Sequence, residues 1–404
     1  MTKLNKALMA STAIAFASGL AFPASAQDPA AAPGVVASQK KVKLTLYGQI
    51  AKVFGVVGDG ETETFKVGEN GNTATRMGID GRGKMTNDIS VRTRMEFGVQ
   101  SGNTGGGSQF VNQEGAASRF TVRHLDLILS SKKFGAVWIG RGDTATNGTS
   151  ERQAIGAIDS GRLGGTTASL IGSYRVLDED ENQATRDRGS VGSFFNNFDG
   201  ADRSNRIRYD TPTFFGFRAG ASFIDKHNYD VGLHYAGKFG GTDIKAGAGF
   251  CHTRGGQSAG GGGCFGNGTT ITAVTQVNGS VAVLTPIGLG GAFSAGHQRR
   301  ALAGAGHTNI NATGYNIQPS ILYTMKATEV GNTTIEYAFQ YCESCSTSFK
   351  DSEGIGHSLM LMQQVDSVGG DYFVTFRYFD VDTGVAGDDL ENLWFVGGGF
   401  RQRF

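Results

Sequence analysis

Hydrophobic and polar side chains alternate along most of this chain, from residue 41 to its last residue. Successive side chains of a β-strand point to opposite faces of a sheet, so a period of two predicts strands and not helices. About sixteen runs show this period, with turn-forming residues between them. The predicted strands span residues 41–57, 73–85, 89–101, 117–130, 136–143, 204–211, 215–224, 229–239, 242–253, 271–285, 288–298, 313–326, 331–342, 356–367, 371–382 and 392–404.

The final strand shows most clearly what the two faces carry. Trp394, Val396 and Phe400 share one face with the terminal Phe404, whereas Arg401 lies on the other face with Arg403. A soluble sheet would bury the apolar face in a core, whereas a transmembrane barrel turns it toward lipid and keeps the charges in a wet lumen. The same separation recurs in the predicted strands at 73–85, 89–101, 229–239 and 371–382.

Two predicted strands depart from the regular pattern. In 117–130, Val122 and Leu125 fall on opposite phases of the alternation, which predicts a β-bulge near Arg123 and His124. Pro319 cannot donate a hydrogen bond to a strand ladder, so the strand at 313–326 is the least secure.

The connections between the predicted strands alternate between short and long. Turns such as Gly240-Gly241 alternate with longer segments, and the longest of these is 144–203. A barrel with short periplasmic turns and long outer loops has this rhythm, whereas a β-sandwich has no reason for it. The pattern therefore predicts an all-β fold, a transmembrane antiparallel β-barrel of about sixteen strands. An even number of strands places both chain ends on the periplasmic side.

Composition narrows the choice of class further. A formal net charge of +1 argues against a nucleic-acid-binding protein, because nucleic-acid-binding domains carry a clear basic excess. After the first residues no run of about 18 apolar residues occurs, so we expect no transmembrane helix. A closed sheet also accommodates a long uninterrupted pattern, because each strand needs only its neighbours.

The beginning of the chain has the features of a secretory signal. Lys3 and Lys6 precede an apolar stretch, and Ala24-Ser25-Ala26 forms a small-residue cleavage site. An uncleaved membrane anchor is the less favoured alternative, because the apolar stretch is short. The expected organisation is a signal peptide at 1–26, an Ala/Pro-rich linker without regular structure at 27–40 and a barrel at 41–404.

Several segments together resemble one known family, the general diffusion porins of Gram-negative outer membranes. They are Lys43–Gln49, Arg76–Gly81, Phe134–Arg141, Ser204–Pro212 with Phe215–Phe217, and the terminal Phe404. The resemblance implies a sixteen-stranded trimer whose third outer loop, here 144–203, folds into the lumen and narrows it. It also implies that an acidic part of this loop faces a ladder of lumen arginines, and that Phe404 is an assembly signal.

The alternation places a set of basic side chains in the lumen. They are Arg76, Arg82, Lys84, Arg92, Arg94, Arg206, Arg208 and Arg218. The resemblance adds Arg119 to this set, although the bulge leaves Arg123 as a competitor for that position. Side chains of one charge at this density require water and counter-ions, which favours an open channel over a plugged barrel. Because the visible lumen carboxylates Asp80 and Glu96 are outnumbered, we predict a weak preference for anions.

The acidic part of the loop is less clear in the sequence. The family's loop motif is absent, and the nearest candidate is the segment 158–165, with Asp159 as its carboxylate. The densest acidic stretch is Asp178, Glu179, Asp180 and Glu181, which either caps the mouth of the channel or binds a divalent cation. No other cofactor is expected.

The four cysteines form two pairs that are close in sequence. Cys251 and Cys264 bracket a Gly-rich segment, and Cys342 and Cys345 form a C-x-x-C motif. An exported protein permits disulfides, so a loop disulfide for each pair is the favoured interpretation. A four-cysteine metal site would require two separate loops to converge, and a redox role lacks the βαβ pattern that accompanies it.

No catalytic motif occurs in the chain. The sequence contains neither an H-E-x-x-H pair nor a phosphate-binding loop nor a nucleophile elbow. The favoured function is therefore passive diffusion of small hydrophilic solutes and ions, and no reaction. The expected partners are further copies in a homotrimer, outer-membrane lipid and lipopolysaccharide, and the barrel-assembly machinery. A porin selective for phosphate, organic acids or sugars is the first alternative, and a barrel adhesin or hydrolase is a more distant one.

Overall fold

A computed structural model describes most of the chain. The described residues are 36–39, 42–100, 108–110, 119–152, 166–179, 186–225, 227–254, 264, 271–302 and 311–404. The expected signal peptide at 1–26, Asp159, Asp180 and Glu181 lie outside them.

Twenty β-strands account for nearly all regular structure in these residues. Three short 3-10 helices accompany them, at Thr167–Leu170, Val191–Ser193 and Asp366–Val368. No helix in the described part of the chain is long and apolar enough to cross a membrane. The strands are β1 (Val36–Gln39), β2 (Val42–Gly58), β3 (Glu63–Glu69), β4 (Arg76–Lys84), β5 (Ile89–Gln100), β6 (Arg119–Ser131), β7 (Gly135–Asp143), β8 (Arg175–Leu177), β9 (Asp187–Ser190), β10 (Arg203–Asp210), β11 (Phe217–Asp225), β12 (Asn228–Phe239), β13 (Thr242–Arg254), β14 (Ile271–Leu284), β15 (Leu289–Leu302), β16 (Asn311–Thr328), β17 (Gly331–Glu343), β18 (Glu353–Val365), β19 (Gly370–Asp382) and β20 (Leu393–Arg403).

The main sheet closes on itself as an antiparallel barrel. From β4 onward each strand of this sheet pairs with the next one in it, with β7 followed by β10, and β20 returns to pair with β2, with Gln49 opposite Arg403 and Gly58 opposite Trp394. β3 and β4 pair with the upper and lower parts of β2 in succession, so together they occupy one position in the wall. With β1 as a short addition to β2, the eighteen-stranded sheet has sixteen wall positions, as predicted.

Most details of the predicted pattern are confirmed. All sixteen predicted strands occur within a few residues of their expected ends. The bulge lies where it is expected, because the register shifts so that Glu96 pairs with His124 and Phe97 pairs with Val122, which leaves Arg123 without a partner across the ladder. Pro319 stays inside β16 and pairs with Phe293, while the ladder to β17 skips it. Its missing N–H therefore falls where no donor is required.

Four strands were not predicted. β1 lies in the stretch expected to be an irregular linker, and it pairs with residues 42–45 of β2. Its reason is geometric, since the carboxyl-terminal strand ends at Phe404 opposite Gly48 and leaves the lower edge of β2 open. β3 interrupts the second wall position, and β8 pairs with β9 inside the long loop between β7 and β10.

The outer wall is apolar. Exposed outward side chains include Phe54 on β2, Met95 on β5, Ile207 on β10 and Val374 on β19, and they alternate with inward polar residues. This alternation makes a lipid-facing surface around the closed sheet. The buried apolar cluster lies instead inside the barrel, where the third outer loop packs against the wall. The lumen is therefore partly filled by this loop, which runs between β7 and β10.

Candidate functional site

The lumen of the barrel is the candidate functional site, and its basic wall is formed by β4–β7, β10 and β11. Every basic residue predicted from the alternation lies on an inward-facing position of these strands. Their carboxylate partners come from the same face of the same or neighbouring strands. Among the described residues, five carboxylates are each shared by two arginines, namely Asp80, Asp126, Asp143, Asp210 and Asp371.

The lowest unit of this wall joins β4 and β5. Arg82 Nε lies 2.8 Å from Asp80 Oδ1, and Arg92 Nη2 lies 2.5 Å from Asp80 Oδ2. The Asp80 carboxylate is almost buried, whereas the Arg82 side chain is 61% exposed. Two positive charges thus share one negative charge, and water reaches the cations more easily than the anion.

A second unit is built around Trp138 on β7. Arg206 Nη2 lies 2.7 Å from Asp126 Oδ2, and Arg94 Nη2 lies 3.4 Å from the same oxygen. The guanidinium carbons of Arg94, Arg206 and Arg208 lie 5.8, 5.9 and 5.0 Å from the centre of the Trp138 ring. The aromatic face and the shared carboxylate together compensate three cations that would otherwise repel each other.

The arginines of β10 also fix the root of the inserted loop. Arg208 Nη1 donates to the Thr144 carbonyl at 2.7 Å, and its Nε donates to Asp210 Oδ1 at 2.8 Å. Arg206 Nε donates to the Asp143 carbonyl at 3.0 Å. These carbonyls lie where β7 ends, so the basic wall turns the chain inward at that point.

The bulge places Arg123 in the lumen. Arg123 Nε lies 2.6 Å from Glu96 Oε1, and Tyr47 donates to Glu96 Oε2 at 3.0 Å. His124 Nε2 is 3.8 Å from the same Glu96. The rival residue Arg119 pairs through its backbone with Gln100, and its side chain lies outside the described set. The bulge therefore brings Arg123 beside Glu96, which makes it a lumen cation.

The carboxylates Asp126, Asp143 and Asp210 were missed in the sequence analysis. The comparison of charges there used only Asp80 and Glu96. The alternation itself contained the signal, since Asp126 lies between the outward Leu125 and Leu127, and Asp210 has the same parity as Arg208. The arginines of the wall are consequently paired and not surrounded only by water and counter-ions.

The opposite half of the wall, β14–β19, carries mainly amides and apolar side chains, with the buried charges of Arg300, Glu336 and Arg377 among them, and the inserted loop covers it. Gln340 on β17 accepts hydrogen bonds from the Thr167 amide at 2.8 Å and the Thr167 hydroxyl at 2.9 Å. The buried Arg377 on β19 donates to the Thr167 carbonyl. From the nearby strand β3, Lys66 Nζ donates to the Leu170 carbonyl at 3.0 Å. The 3-10 turn at 167–170 is thus held from two sides.

The first part of the loop also lies against the wall. Asp230 on β12 accepts hydrogen bonds from the amides of Ala145 and Thr146, at 3.2 and 2.9 Å. Asn278 on β14 accepts from the Thr149 hydroxyl at 2.9 Å. The Asp230 carboxylate therefore holds the root of the loop through charge-assisted hydrogen bonds.

The last part of the loop, 194–201, packs most deeply. The Phe198 carbonyl accepts from Gln276 Nε2 at 2.6 Å and from Asn278 Nδ2 at 2.5 Å. The chain comes so close to the wall that only glycine fits beneath it, because a Cβ on Gly296 would lie 2.8 Å from the Phe198 ring. This part of the loop therefore cannot leave room for solute between itself and the wall.

Both cysteine pairs are disulfides and both contact this same segment. Cys251 is bonded to Cys264, whose amide donates to the Gly200 carbonyl at 2.8 Å. Cys342 is bonded to Cys345, and the Asn196 amide donates to Cys342 Sγ at 3.2 Å. The thiols are consumed in these bonds, so the four-cysteine metal site is ruled out for the bonded form.

The acidic part of the loop meets the last outer connection at the mouth. Arg188 Nη2 lies 2.6 Å from Asp178 and 2.9 Å from Asp388. The hydrogen bond from Arg188 lowers the pKa of Asp388, whereas burial and the neighbouring carboxylate of Glu179 raise the pKa of Glu391. Among the described residues no group of three His, Cys, Asp or Glu side chains could hold a metal ion. Asp178 is occupied by Arg188, which leaves it a structural role.

The described loop segments cover β11–β19 and touch β3, whereas none of them covers Arg76, Arg82 or Arg92. Arg76 donates to Gln49 Oε1 at 3.4 Å, and Lys84 is exposed at the lower end of β4. The terminal Phe404 closes the ring of strands, because its carbonyl accepts from the Gly48 amide at 3.0 Å. Among the described residues, Arg82 and Arg92 lie on the part of the basic wall that water reaches, so we expect the passage to run along it.

Comparison with known proteins places this geometry in context. A family model described as Gram-negative porin matches residues 10–356. No curated protein matches the chain. Among solved structures, an anion-selective porin from Comamonas acidovorans is 16% identical, with 90% of this chain and 100% of that chain covered and a TM-score of 0.57.

Two other solved structures share the fold. The trimer form of OmpT, an outer membrane protein of Vibrio cholerae, is 15% identical over 90% of this chain and 100% of its own, with a TM-score of 0.52. The outer membrane channel DcaP of Acinetobacter baumannii is 11% identical over 92% of this chain and 100% of its own, with a TM-score of 0.54. At these identities the similarity establishes the barrel and no more.

Proposed function

Because the chain belongs to the family of Gram-negative porins, it is an outer-membrane porin, and we propose that its channel conducts small hydrophilic solutes and ions passively with a weak preference for anions. One observation carries the anion preference. At Asp80 and Asp210, one carboxylate is shared by two arginines, so these two units of the basic wall each keep an unbalanced positive charge.

The preference is weak for a physical reason. Half of the positive charge in each unit is neutralised by its own carboxylate, and water in the channel screens the remainder over about 8 Å at physiological ionic strength. Fixed charge lining a pore sets the ion preference without blocking ions of the other sign. An excess of one charge in each unit therefore biases the current toward anions and does not exclude cations.

The experiment is a reversal potential in a potassium chloride gradient across a planar bilayer. The current through the parent channel should reverse at a potential whose sign shows that chloride is more permeant than potassium. The double change Arg82→Gln and Arg92→Gln should move the reversal potential toward cations, and Asp80→Asn should move it further toward anions. Arg254→Gln, on the outward face of β13, is the matched control and should leave it unchanged. A parent channel that is clearly cation-selective would refute the proposal.

A porin selective for an organic acid is the second candidate, and Trp138 favours it. The ring lies on the lumen side of β7 beside three guanidinium groups, so the carboxylate and ring of an aromatic acid would both find partners there. Saturable current block by benzoate, lost in Trp138→Ala, would support selectivity. Block that grows linearly with benzoate concentration would support general diffusion.

The assembly proposed here is a homotrimer, and the trimer form of Vibrio cholerae OmpT supports it. The apolar outer wall would contact outer-membrane lipid and lipopolysaccharide, and Phe404 would serve the barrel-assembly machinery as an assembly signal. We further propose that residues 1–26 are a cleaved signal peptide and that the channel catalyses no reaction and needs no cofactor. Mass spectrometry of the mature protein tests the cleavage site, since Gln27 should be its first residue.

A further inference from the structure

Both disulfides lie at the outer end of the barrel, on inward-facing positions. Cys251 is near the upper end of β13, which ends at Arg254, and Cys342 is near the upper end of β17, which ends at Glu343. Long connections mark this end as the extracellular one. After insertion the sulfur atoms therefore lie at the end of the barrel that is remote from the periplasm.

The bond between Cys251 and Cys264 is covered by the inserted segment 194–201. The Cys264 amide donates to the Gly200 carbonyl at 2.8 Å, and both cysteines form a buried apolar cluster with Ala201. The exposed fractions of the two cysteines are 1% and 0%. Thiol–disulfide exchange requires a third sulfur atom to reach one of the two bonded sulfurs, so this bond is closed to exchange while the segment is in place.

The bond between Cys342 and Cys345 is covered by the same segment. The Asn196 amide donates to Cys342 Sγ at 3.2 Å, and both cysteines belong to the buried cluster that the inserted loop forms with the wall. Behind the bond, the buried Arg300 donates from Nη1 to the Cys345 carbonyl at 3.2 Å. The exposed fractions are 0% and 4%. One segment thus closes both bonds to exchange, although they lie on different strands.

Neither pair needs the fold to bring its sulfurs together. The separation in sequence is thirteen residues for Cys251 and Cys264 and three residues for Cys342 and Cys345. The entropic cost of closing a loop grows with its length, so these local pairings are favoured in an unfolded chain over pairings between the two motifs. The native connectivity can therefore arise before any strand pairs.

We propose that both disulfides are formed on the unfolded chain in the periplasm, by exchange with an oxidising protein disulfide, before the strands enter the membrane. The periplasm is an oxidising compartment, whereas the cytosol keeps thiols reduced. The oxidised chain is then the form that barrel assembly consumes. The inference rests on the outer-membrane position of the chain and not on the ion preference of its channel.

The exchange consists of two steps for each pair. One cysteine thiolate attacks the disulfide of the oxidant, which forms a mixed disulfide and expels one thiolate of the oxidant. The second cysteine thiolate attacks the sulfur of the first, so the bond within the chain forms and the oxidant leaves as a dithiol. Two electrons pass to the oxidant, and the two protons of the cysteine thiols end on its sulfurs.

The first test compares oxidation before and after folding. The mature chain with reduced cysteines is treated with oxidised glutathione, either in urea before transfer to detergent micelles or after folding in the same micelles. Remaining thiols are alkylated in denaturant and counted by mass spectrometry. Oxidation in urea should consume all four thiols. Oxidation of the folded chain should be slower by about 100-fold or more, because exchange then waits for local opening of segment 194–201.

The reverse reaction covers the case in which the reduced chain does not fold. The oxidised, folded barrel is treated with dithiothreitol and should keep both bonds, whereas the oxidised chain in urea should lose them. Phe198→Ala removes the ring that packs on Gly296, so reduction of the folded variant should be faster by about tenfold or more. Phe239→Ala, at an exposed position beside a periplasmic turn, is the matched control and should react like the parent.

A cysteine at an exposed site shows that the micelle does not shield thiols. All four native cysteines are changed to serine, and Lys133→Cys is added in a periplasmic turn. This variant should form a mixed disulfide with glutathione at similar rates when folded and unfolded. None of these readouts involves the reversal potential, so a failure of the ion preference is measured separately.

In cells, dithiothreitol is added during a pulse of synthesis and then washed out. Chains inserted during the pulse should keep free thiols that are alkylated only after denaturation. Absence of any inserted chain from the reduced pulse would also support the order, because insertion would then require the oxidised chain.

Three results would overturn the proposal. The first is oxidation at equal rates before and after folding, and the second is ready reduction of the folded parent barrel. The third is oxidation of already inserted chains after dithiothreitol is removed, which would place bond formation after assembly.

Discussion

The two halves of the lumen wall differ in what they carry and in what covers them. The basic half, on β4–β7, β10 and β11, holds arginines that share carboxylates, and the described loop segments leave most of it uncovered. The other half, on β14–β19, offers amides and apolar side chains, and the inserted loop packs on it. The same alternation of inward and outward residues therefore builds two kinds of inner surface.

The hydration of the inward side chains explains why the loop packs on β14–β19. An amide such as Gln340 can exchange water for a backbone partner at little net cost, and the buried Arg377 donates to the Thr167 carbonyl in place of water. Phe373, Phe379 and Phe395, on the strands next to the amides, gain by burial against the loop. On the charged half, Arg82 and Arg92 keep some access to water, whereas Arg206 and Arg208 are buried against their carboxylates and the root of the loop.

The largest expected effect concerns the carboxylate that holds Arg94 and Arg206. Asp126→Asn would leave the buried Arg206 with no carboxylate in contact and Arg94 with only Asp143 at 3.8 Å, and breaking a buried pair costs about 3–5 kcal/mol. The change should lower the free energy of unfolding in denaturant by that amount. Asp389→Asn, at an exposed position in the last outer connection, is the control and should change it by less than about 0.5 kcal/mol. Equal stabilities for both variants would mean that the basic half does not depend on shared carboxylates.

The next effect concerns the disulfide that holds the loop on the covered half. Cys251→Ser with Cys264→Ser removes a link that closes thirteen residues of chain and so constrains the unfolded state by about 3 kcal/mol. The free energy of unfolding should fall by up to that amount, and the open-channel current should become noisier as the segment around Gly200 loosens.

Cys342→Ser with Cys345→Ser is the internal comparison, because that bond closes only three residues. It should cost less stability than the first pair. A larger loss for the second pair would contradict the assignment of the stabilisation to loop closure.

A smaller effect is expected at the edge between the two halves. Lys66→Met keeps the volume of the buried side chain but removes the donor to the Leu170 carbonyl, which costs about 1–3 kcal/mol. Single-channel recordings should show more frequent current transitions, because the turn at 167–170 loses its hydrogen bond to β3 and is then fixed from one side only. Lys133→Met, in an exposed periplasmic turn, should record like the parent. If the Lys66→Met channel shows no more current transitions than the parent, the wall residues on β17–β19 hold the turn alone.

The smallest effect is expected at the mouth, where Glu391 lies near Glu179 and Glu61. Their charges and burial raise the pKa of Glu391, so its protonated form is favoured in the folded protein. The stabilisation that the protonated Glu391 provides is complete below the ordinary glutamate pKa of about 4.3. It is lost as pH rises through the raised pKa of Glu391 in the folded protein. Glu391→Gln should remove that pH dependence, measured as the thermal midpoint between acidic and neutral pH. A midpoint that keeps its pH dependence in the variant would place the titrating group elsewhere.

The fold could be predicted from the sequence because a barrel wall repeats one simple constraint. Each strand needs alternate side chains and a turn, and both are visible in the chain, down to the bulge at Arg123. β3 escaped prediction because Glu63 and Glu69 share the parity of Phe65 and Val67, so only two apolar residues mark its outward face. β8 and β9 escaped because three or four residues are too few to show a period.

The site could be predicted only in part. Alternation placed the arginines inward, and the same rule would have placed Asp126 and Asp210 beside them had it been applied to every strand. The path of the loop could not be predicted, because its contacts are hydrogen bonds between single amides and backbone carbonyls far apart in sequence. Gln276 and Phe198 are one such pair, and nothing in either residue specifies the other.

The position of the passage is tested most directly by chemical access to the two halves of the wall. Cysteine is introduced singly at Arg92 on the basic half and at Gln298 on the covered half, and the open channel is treated with a negatively charged thiosulfonate reagent. Current should fall quickly for Arg92→Cys and stay unchanged for Gln298→Cys, because the loop covers the latter. Equal rates at the two positions, or faster reaction at Gln298→Cys, would contradict a channel that runs along the arginines.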